Sequence, residues 1–364
     1  MRMKSTPIGL LALQCSGRRA LTLTWALFVG AAGCHAQTTR SSEAPAFDAQ
    51  GVRESTVRID AGAYGPFESV WTISNPDAEL VIAPQVGRVI SYRLTGQENV
   101  LWSTVKLVKP LKTGDWTNWG GEKAWVWPQE AWKQVTGGAW PPTPGMEGPF
   151  EVKVLDNGLE MRTAEVPGFG VRVARRITLA ASGSEVTTVT WLEDVSGAVA
   201  KVDVPIAAWT VMQVPVTPHV VARRAGAQSV EWGWMPMSSR LFRSIEPVEK
   251  DVLILQRPTD MSVKAGMDAD LLAAVYDKHI VLMRDTTPTQ VGVEPAERAH
   301  VYAQQDMPGW EIGAYIELEF TGPRQPRASL ALGTLTNVWE IRPVTPPQDG
   351  KRTGAWLAEL VRGK

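Results

Sequence analysis

Apolar and polar residues alternate with period two along much of this chain. The runs are Arg88 to Leu94, Phe150 to Leu155, Leu159 to Thr163, Glu185 to Leu192, Leu271 to Tyr276, His279 to Met283 and Tyr315 to Phe320. Each has strand length, is rich in Val, Ile, Thr and aromatic residues, and is bounded by Gly, Pro, Asn or Asp, which predicts strands. Asp156-Asn157-Gly158 joins two of them, and Asn-Gly tolerates the positive φ angles of a tight hairpin turn. Asp277-Lys278 joins another pair. The best helical periodicity is the short piece Ala355 to Val361 near the carboxy terminus, and no repeat of fixed period is found. Many strands with turns between them, and no alternating helices, predict an all-β fold, a large antiparallel β-sandwich.

One segment breaks the pattern. Seven tryptophans, 102, 116, 119, 125, 127, 132 and 140, fall between Trp102 and Trp140, and the stretch Asn118 to Glu130 contains Gly120-Gly121 and Trp127-Pro128. With several prolines and no clean period, it is expected to be a long structured loop, and long ordered loops in compact domains are often functional.

The amino terminus carries a different signal. The first 33 residues hold Arg2, Lys4, Arg18 and Arg19 and no acid, followed by an apolar run from Ala20 to Ala32. The run is shorter than the about 20 residues a spanning helix needs, and a basic, then apolar, then small-residue order reads as a secretory signal. Ala31-Ala32-Gly33-Cys34 resembles the bacterial lipobox, so cleavage before Cys34 would leave its thiol to carry a diacylglycerol; the alternative is ordinary cleavage after Ala36. Residues 1–33 are thus expected to be a signal peptide, 34–54 a Ser-, Thr-, Ala- and Gln-rich lipidated tether, and 55–364 a single β domain of an exported envelope lipoprotein.

Composition narrows the chemistry. The mature chain would carry 33 basic and 38 acidic residues, a formal charge of −5, and a mildly acidic surface argues against nucleic acid as a partner. Only Cys15 and Cys34 are present, so the β domain has neither disulfide nor thiol chemistry. CxxC, HExxH and glycine-rich phosphate loops are missing, and neither a metal nor a cofactor is expected.

Several segments together resemble the galactose-mutarotase-like superfamily. Val81 to Tyr92 resembles its opening hairpin and Glu98 to Trp102 the phrase that follows; Gly120-Gly121-Glu122-Lys123 up to Trp127-Pro128 resembles its Gly-Gly to Trp-Pro loop. Trp209 to Gln213 and Tyr315 to Glu319 look like an uncharacterised bacterial branch of it, and the resemblance spans roughly residues 65 to 342. It implies a supersandwich whose concave sheet binds a carbohydrate. In the aldose epimerases of the superfamily a His serves the ring oxygen and a Glu the anomeric hydroxyl, as general acid and base. The resemblance points to Glu317 as the base, with Glu319 second; two residues apart on a strand, they share a face. Where the acid should stand, the strand Ala207 to Gln213 has no His. His219 is the nearest candidate, with His279 and His300 the others. The expectation is therefore sugar binding, or a reaction other than simple mutarotation.

Each candidate has a structural reading beside its functional one. Trp119, Trp125, Trp127 and Trp209 stack on sugar rings or fill the core. Glu122, Lys123 and Gln213 bind hydroxyls, or the two charges form a solvated ion pair. Arg88 binds a ligand through its fork or sits on the surface, and one of Arg175 and Arg176 reaches the pocket. Glu317 and Glu319 are catalytic or the charged face of an edge strand. Two classes of function follow: a carbohydrate-binding or carbohydrate-modifying protein, or a non-catalytic envelope scaffold; the oligomeric state is open.

Overall fold

The structure, a computed structural model, describes residues 56–106, 111–113, 116–195, 197–224, 235–236, 242–248, 250–288, 292, 294–309, 313–326, 333–348 and 350–363. The expected signal peptide, Cys34 and the tether lie outside the described residues. Among the described residues, twenty-two strands run in chain order. The first eight are β1 (Arg58–Tyr64), β2 (Phe67–Ser74), β3 (Ala78–Ala83), β4 (Arg88–Leu94), β5 (Leu111–Thr113), β6 (Trp116–Asn118), β7 (Glu122–Trp127) and β8 (Phe150–Val154). Next come β9 (Gly158–Thr163), β10 (Val171–Leu179), β11 (Val186–Asp194), β12 (Ala207–Pro215), β13 (His219–Arg223), β14 (Met235–Pro236) and β15 (Ser244–Val248). The rest are β16 (Val252–Gln256), β17 (Val263–Met267), β18 (Leu271–Val275), β19 (His279–Asp285), β20 (Ala299–Ala303), β21 (Tyr315–Thr321) and β22 (Leu335–Pro343). Two helices complete the described elements, α1 (Trp132–Thr136) and α2 (Gly354–Arg362).

Twenty of these strands build two large sheets. One has the order β1-β2-β3-β4-β7-β12-β21-β20-β17-β14, the other β15-β16-β13-β18-β19-β22-β11-β10-β9-β8, and β5 pairs with β6 apart from both. Neighbours are antiparallel throughout. The expected antiparallel sandwich is what forms, and all seven alternating runs are strands in it. Asn157 and its neighbours make the hairpin between β8 and β9, closed by Leu155 N–H donating to the Gly158 carbonyl. Tyr276 N–H donates to the His279 carbonyl across the Asp277-Lys278 turn.

The principal core lies between the two sheets, where Tyr92 of β4 meets Trp339 of β22 and Thr210 of β12 donates to Asn337 Oδ1 at 2.7 Å. A second apolar cluster lies where α2 lays Leu357, Ala358 and Val361 on β13, β16, β18 and β19. That helix is the expected Ala355–Val361 piece, capped by the Thr353 hydroxyl, which accepts from Trp356 N–H.

The tryptophan segment departs from expectation. Glu122–Trp127 is not loop but the strand β7, paired with β12 in the middle of the first sheet, with all six residues buried. Burial on both faces removes the alternation by which a strand announces itself. The two glycines before it are required by close approach: a Cβ on Gly120 would lie 2.2 Å from the Trp102 carbonyl oxygen, and one on Gly121 2.2 Å from that of Val89, at φ of 79° and 75°.

Candidate functional site

Register places the candidate residues. Across the first sheet, Lys123 of β7 stands opposite Val211 of β12, Val211 opposite Glu319 of β21, and Glu319 opposite His300 of β20. One step along, Gln213, Glu317 and Tyr302 are aligned, and Tyr302 is opposite Lys264 of β17. Side chains alternate between faces, so Lys123, Trp125, Trp127, Trp209, Gln213, Glu317, Glu319 and His300 share the face turned away from the second sheet. Arg88 joins them from β4, beside the Val89–Glu122 pair.

Two lysine–glutamate pairs stand side by side there. Lys123 Nζ is 3.3 Å from Glu317 Oε1, which also accepts from Gln213 Nε2 at 2.9 Å. Lys264 Nζ donates to Glu319 Oε2 at 2.7 Å, and Trp209 Nε1 donates to the same oxygen at 2.9 Å. The ammonium groups also sit over indoles, Lys123 4.4 Å from the Trp125 ring and Lys264 4.7 Å from the Trp209 ring. A third pair links Arg88 to Glu147, whose carboxylate accepts the Nε1–H groups of Trp116 and Trp125, both at 2.7 Å.

These surroundings split the two carboxylates. Burial raises Glu317 above its ordinary value, Lys123 opposes the rise, and the Glu319 charge adds to it. Burial would also raise Glu319, yet it is held at about 2, with the Lys264 ammonium foremost among the groups that lower it. Lys123 is pushed down to about 8 by burial, with Glu317 resisting. His300 is lowered by its complete burial, and its contact with Glu319 does not offset this. A neutral imidazole adds only a polar contact at Glu319, so Lys264 is the charge that keeps that carboxylate ionised.

His300 is the residue that sequence reasoning left among its remaining candidates. Its Nδ1 lies 3.4 Å from Glu319 Oε2 without hydrogen-bond geometry, and its ring stacks on Trp127 with centroids 4.9 Å apart. The signal for it was in β20 itself, where Ala299, Val301 and Ala303 face the core while His300 and Tyr302 face the site.

Four expectations need correction. Glu122 points into the space between the sheets, where one Arg175 nitrogen donates to both its carboxylate oxygens at 2.5 and 2.6 Å. It is no solvated ion pair and has no access to the outer face. Arg175 is accordingly consumed inside the sandwich, while Arg176 turns outward to Glu160. His219 belongs to β13 of the other sheet, half-buried, and does not meet Glu317. Trp119 lies off the shared face, half-buried and edge-on to Phe67 with centroids 5.0 Å apart.

Polar atoms left over on the face mark it out. Gln213 Oε1, Glu319 Oε1, Trp127 Nε1, Thr321 Oγ1 and both His300 nitrogens are buried without a hydrogen-bond partner among the described residues. Solvent meets the face at Glu317 and Lys264, whose side chains keep 12% and 15% of their exposure. Cavities lie elsewhere among the described residues. One of about 610 Å³ lies at an end of the sandwich, between Val100, Pro215, Tyr276, His279 and Ile341. Another, about 220 Å³, borders Trp116, Trp119, Thr143 and Glu147.

No protein-family model and no curated protein matches the chain. Among solved structures, a TPR-domain containing protein from Parabacteroides distasonis aligns at 11% identity and a TM-score of 0.48 over 83% of this chain, which spans 56% of that protein. A galactose mutarotase-like protein from Lactobacillus casei aligns at 14% identity and a TM-score of 0.45, covering 75% of this chain and 100% of its own. Another from Clostridium acetobutylicum aligns at 12% and 0.44, covering 80% and 99%. Two of these solved structures are thus galactose mutarotase-like proteins.

Proposed function

We propose that the protein binds a neutral carbohydrate on the outer face of its first sheet, around Glu317, Glu319 and His300. The observation that carries this reading is the set of unpartnered buried donors and acceptors on that face, interleaved with indole rings. Buried polar groups in folded proteins are nearly always satisfied, so this set calls for a ligand or ordered water. Sugar hydroxyls match it, and at the rim of the same aromatic series the exposed Trp140 ring offers a face to a sugar's C–H side. A neutral ligand is favoured because Arg88, Lys123 and Lys264 already face carboxylates of their own.

A second reading, proton transfer at the anomeric carbon, is favoured by one contact. His300 stands beside Glu319 on the sheet that also presents Glu317, supplying from β20 the imidazole missing from β12. Thermal shift with a panel of mono- and oligosaccharides tests binding, because a ligand held only by the native state stabilises it by about 2.7 kcal/mol at a hundred times Kd. No shift across the panel overturns the reading in favour of a scaffold. Export and anchoring through a lipid on Cys34 belong to the same proposal; a fatty-acid label that persists in Cys34→Ala overturns the anchor.

A further inference from the structure

The aromatic residues do not stop at the buried face. From Trp209 the rings continue to Trp125 at 5.2 Å, from Trp125 to Trp140 at 6.0 Å, and from Trp140 to Trp116 at 4.7 Å, all edge to face. The series runs from buried rings to exposed ones. Trp209 and Trp125 are buried, Trp116 is half-buried, and Trp140 is 44% exposed, a large apolar side chain held out in solvent. Trp116 also walls the 220 Å³ cavity, together with Trp119, Pro142, Thr143 and Glu147.

That cavity has the features of a built site. Thr143 is buried, yet its hydroxyl has no hydrogen-bond partner among the described residues. Glu147 ties the cavity to the outer face of the first sheet, because its carboxylate takes Trp116 N–H from one side and Trp125 N–H from the other. Its charge is already met by Arg88. At about 30 Å³ per water, the volume equals roughly seven waters, room for one saccharide ring. Aromatic walls, a spare hydroxyl and a neutralised carboxylate suit an uncharged polyol better than an ion.

Resting on the carbohydrate reading above, we infer that the ligand is an oligosaccharide: one unit meets the face at Glu317 while further units occupy the cavity at Trp116 and Thr143 and run out across Trp140. A single sugar could not use both places. The chain-length dependence of affinity is therefore the signature of this arrangement.

Titration calorimetry with glucose, N-acetylglucosamine and their β-1,4- and α-1,4-linked oligomers of two to six units tests it. In the series that binds, affinity is expected to rise at least tenfold between one and three units. Trp140→Ala, at an exposed position, and Thr143→Val, which keeps the side chain's shape, are each expected to reduce that ratio by at least threefold. Affinity that does not depend on chain length overturns the oligosaccharide inference and leaves the carbohydrate reading standing. So does a ratio that neither variant changes. Binding by no member of any series overturns both.

Discussion

Glu122 and Lys123 are joined by one peptide bond, yet their side chains end on opposite sides of the same sheet, each against an opposite charge. Glu122 meets Arg175 between the sheets, and Lys123 meets Glu317 on the outer face. The strand's alternation alone produces this division. It gives the two pairs different work: one locks the sandwich together, the other belongs to the candidate site.

The first prediction follows from the inner pair. Both partners are fully buried, so removing one leaves an uncompensated charge in the core, which typically destabilises by about 3–5 kcal/mol. Glu122→Leu should lose that much in urea unfolding. Glu122→Leu combined with Arg175→Met should recover most of it, because replacing both members with apolar groups is often neutral. A single variant that loses less than about 1 kcal/mol would mean that the guanidinium finds another partner.

A second prediction separates core tryptophans from the exposed one. Trp127 and Trp209 are buried; they pack edge to face on each other, and Trp127 also stacks on His300. Truncating either to Ala should destabilise by about 3–5 kcal/mol, the range for core aromatics. Trp140→Ala should stay within about 1 kcal/mol of wild type. Equal losses at all three would place Trp140 in the core and remove it from the proposed track.

How much of this was legible beforehand depended on which faces were covered. Strands with one solvated face, such as Val186–Asp194, alternate visibly and were found. Glu122–Trp127 looks like loop in sequence because both of its faces are covered, and its charged and aromatic residues carry no period once nothing faces water. The Glu317–Glu319 spacing was readable, because two residues along a strand restores the same face. The partner of Glu319 was not, since His300 comes from a neighbour in space whose register is set by pairing. His219, the histidine nearest along the chain to the strand Ala207–Pro215, lies in the other sheet.

The third prediction concerns acid. Glu319 is held at about 2 against an ordinary value of 4.5. A depressed carboxylate contributes stability that is fully present above 4.5 and is lost as pH falls toward 2. His300, lowered from 6.5, acts in the same direction: the unfolded chain takes up its proton first, so stability also falls as pH drops below 6.5. Glu317, raised by burial, opposes both, because the native state gains its proton first. Urea unfolding across pH 2 to 7 should show a flatter slope below pH 4.5 in Glu319→Gln and between pH 6.5 and 4.5 in His300→Asn. Unchanged slopes in both would show that these groups titrate alike in the folded and unfolded states.

The last prediction asks whether the face does chemistry or only binds. Opening and closing a hemiacetal needs one group to take the anomeric hydroxyl proton and another to serve the ring oxygen. Glu317 is raised toward neutrality, which brings a carboxylate nearer the working range of a base, and it keeps an opening to solvent. His300 is neutral, and its Nε2 has no partner to hold its lone pair or proton away from a ligand. Glu319, ionised by Lys264, is poorly suited to proton transfer and instead fixes the charge behind the imidazole. Polarimetry on fresh α-glucose and α-galactose should therefore show saturable mutarotation that slows by about 10²–10⁴-fold in Glu317→Gln and in His300→Gln, the usual contribution of one acid–base group. Both variants should still bind sugar, since neither removes the indole faces. Glu319→Gln should act through position, shifting the pH profile rather than abolishing the rate. A wild-type protein that binds sugar yet leaves mutarotation at its spontaneous rate would assign the face to binding alone. A rate lost only in Glu317→Gln would show that the imidazole from β20 is structural and that the acid comes from elsewhere.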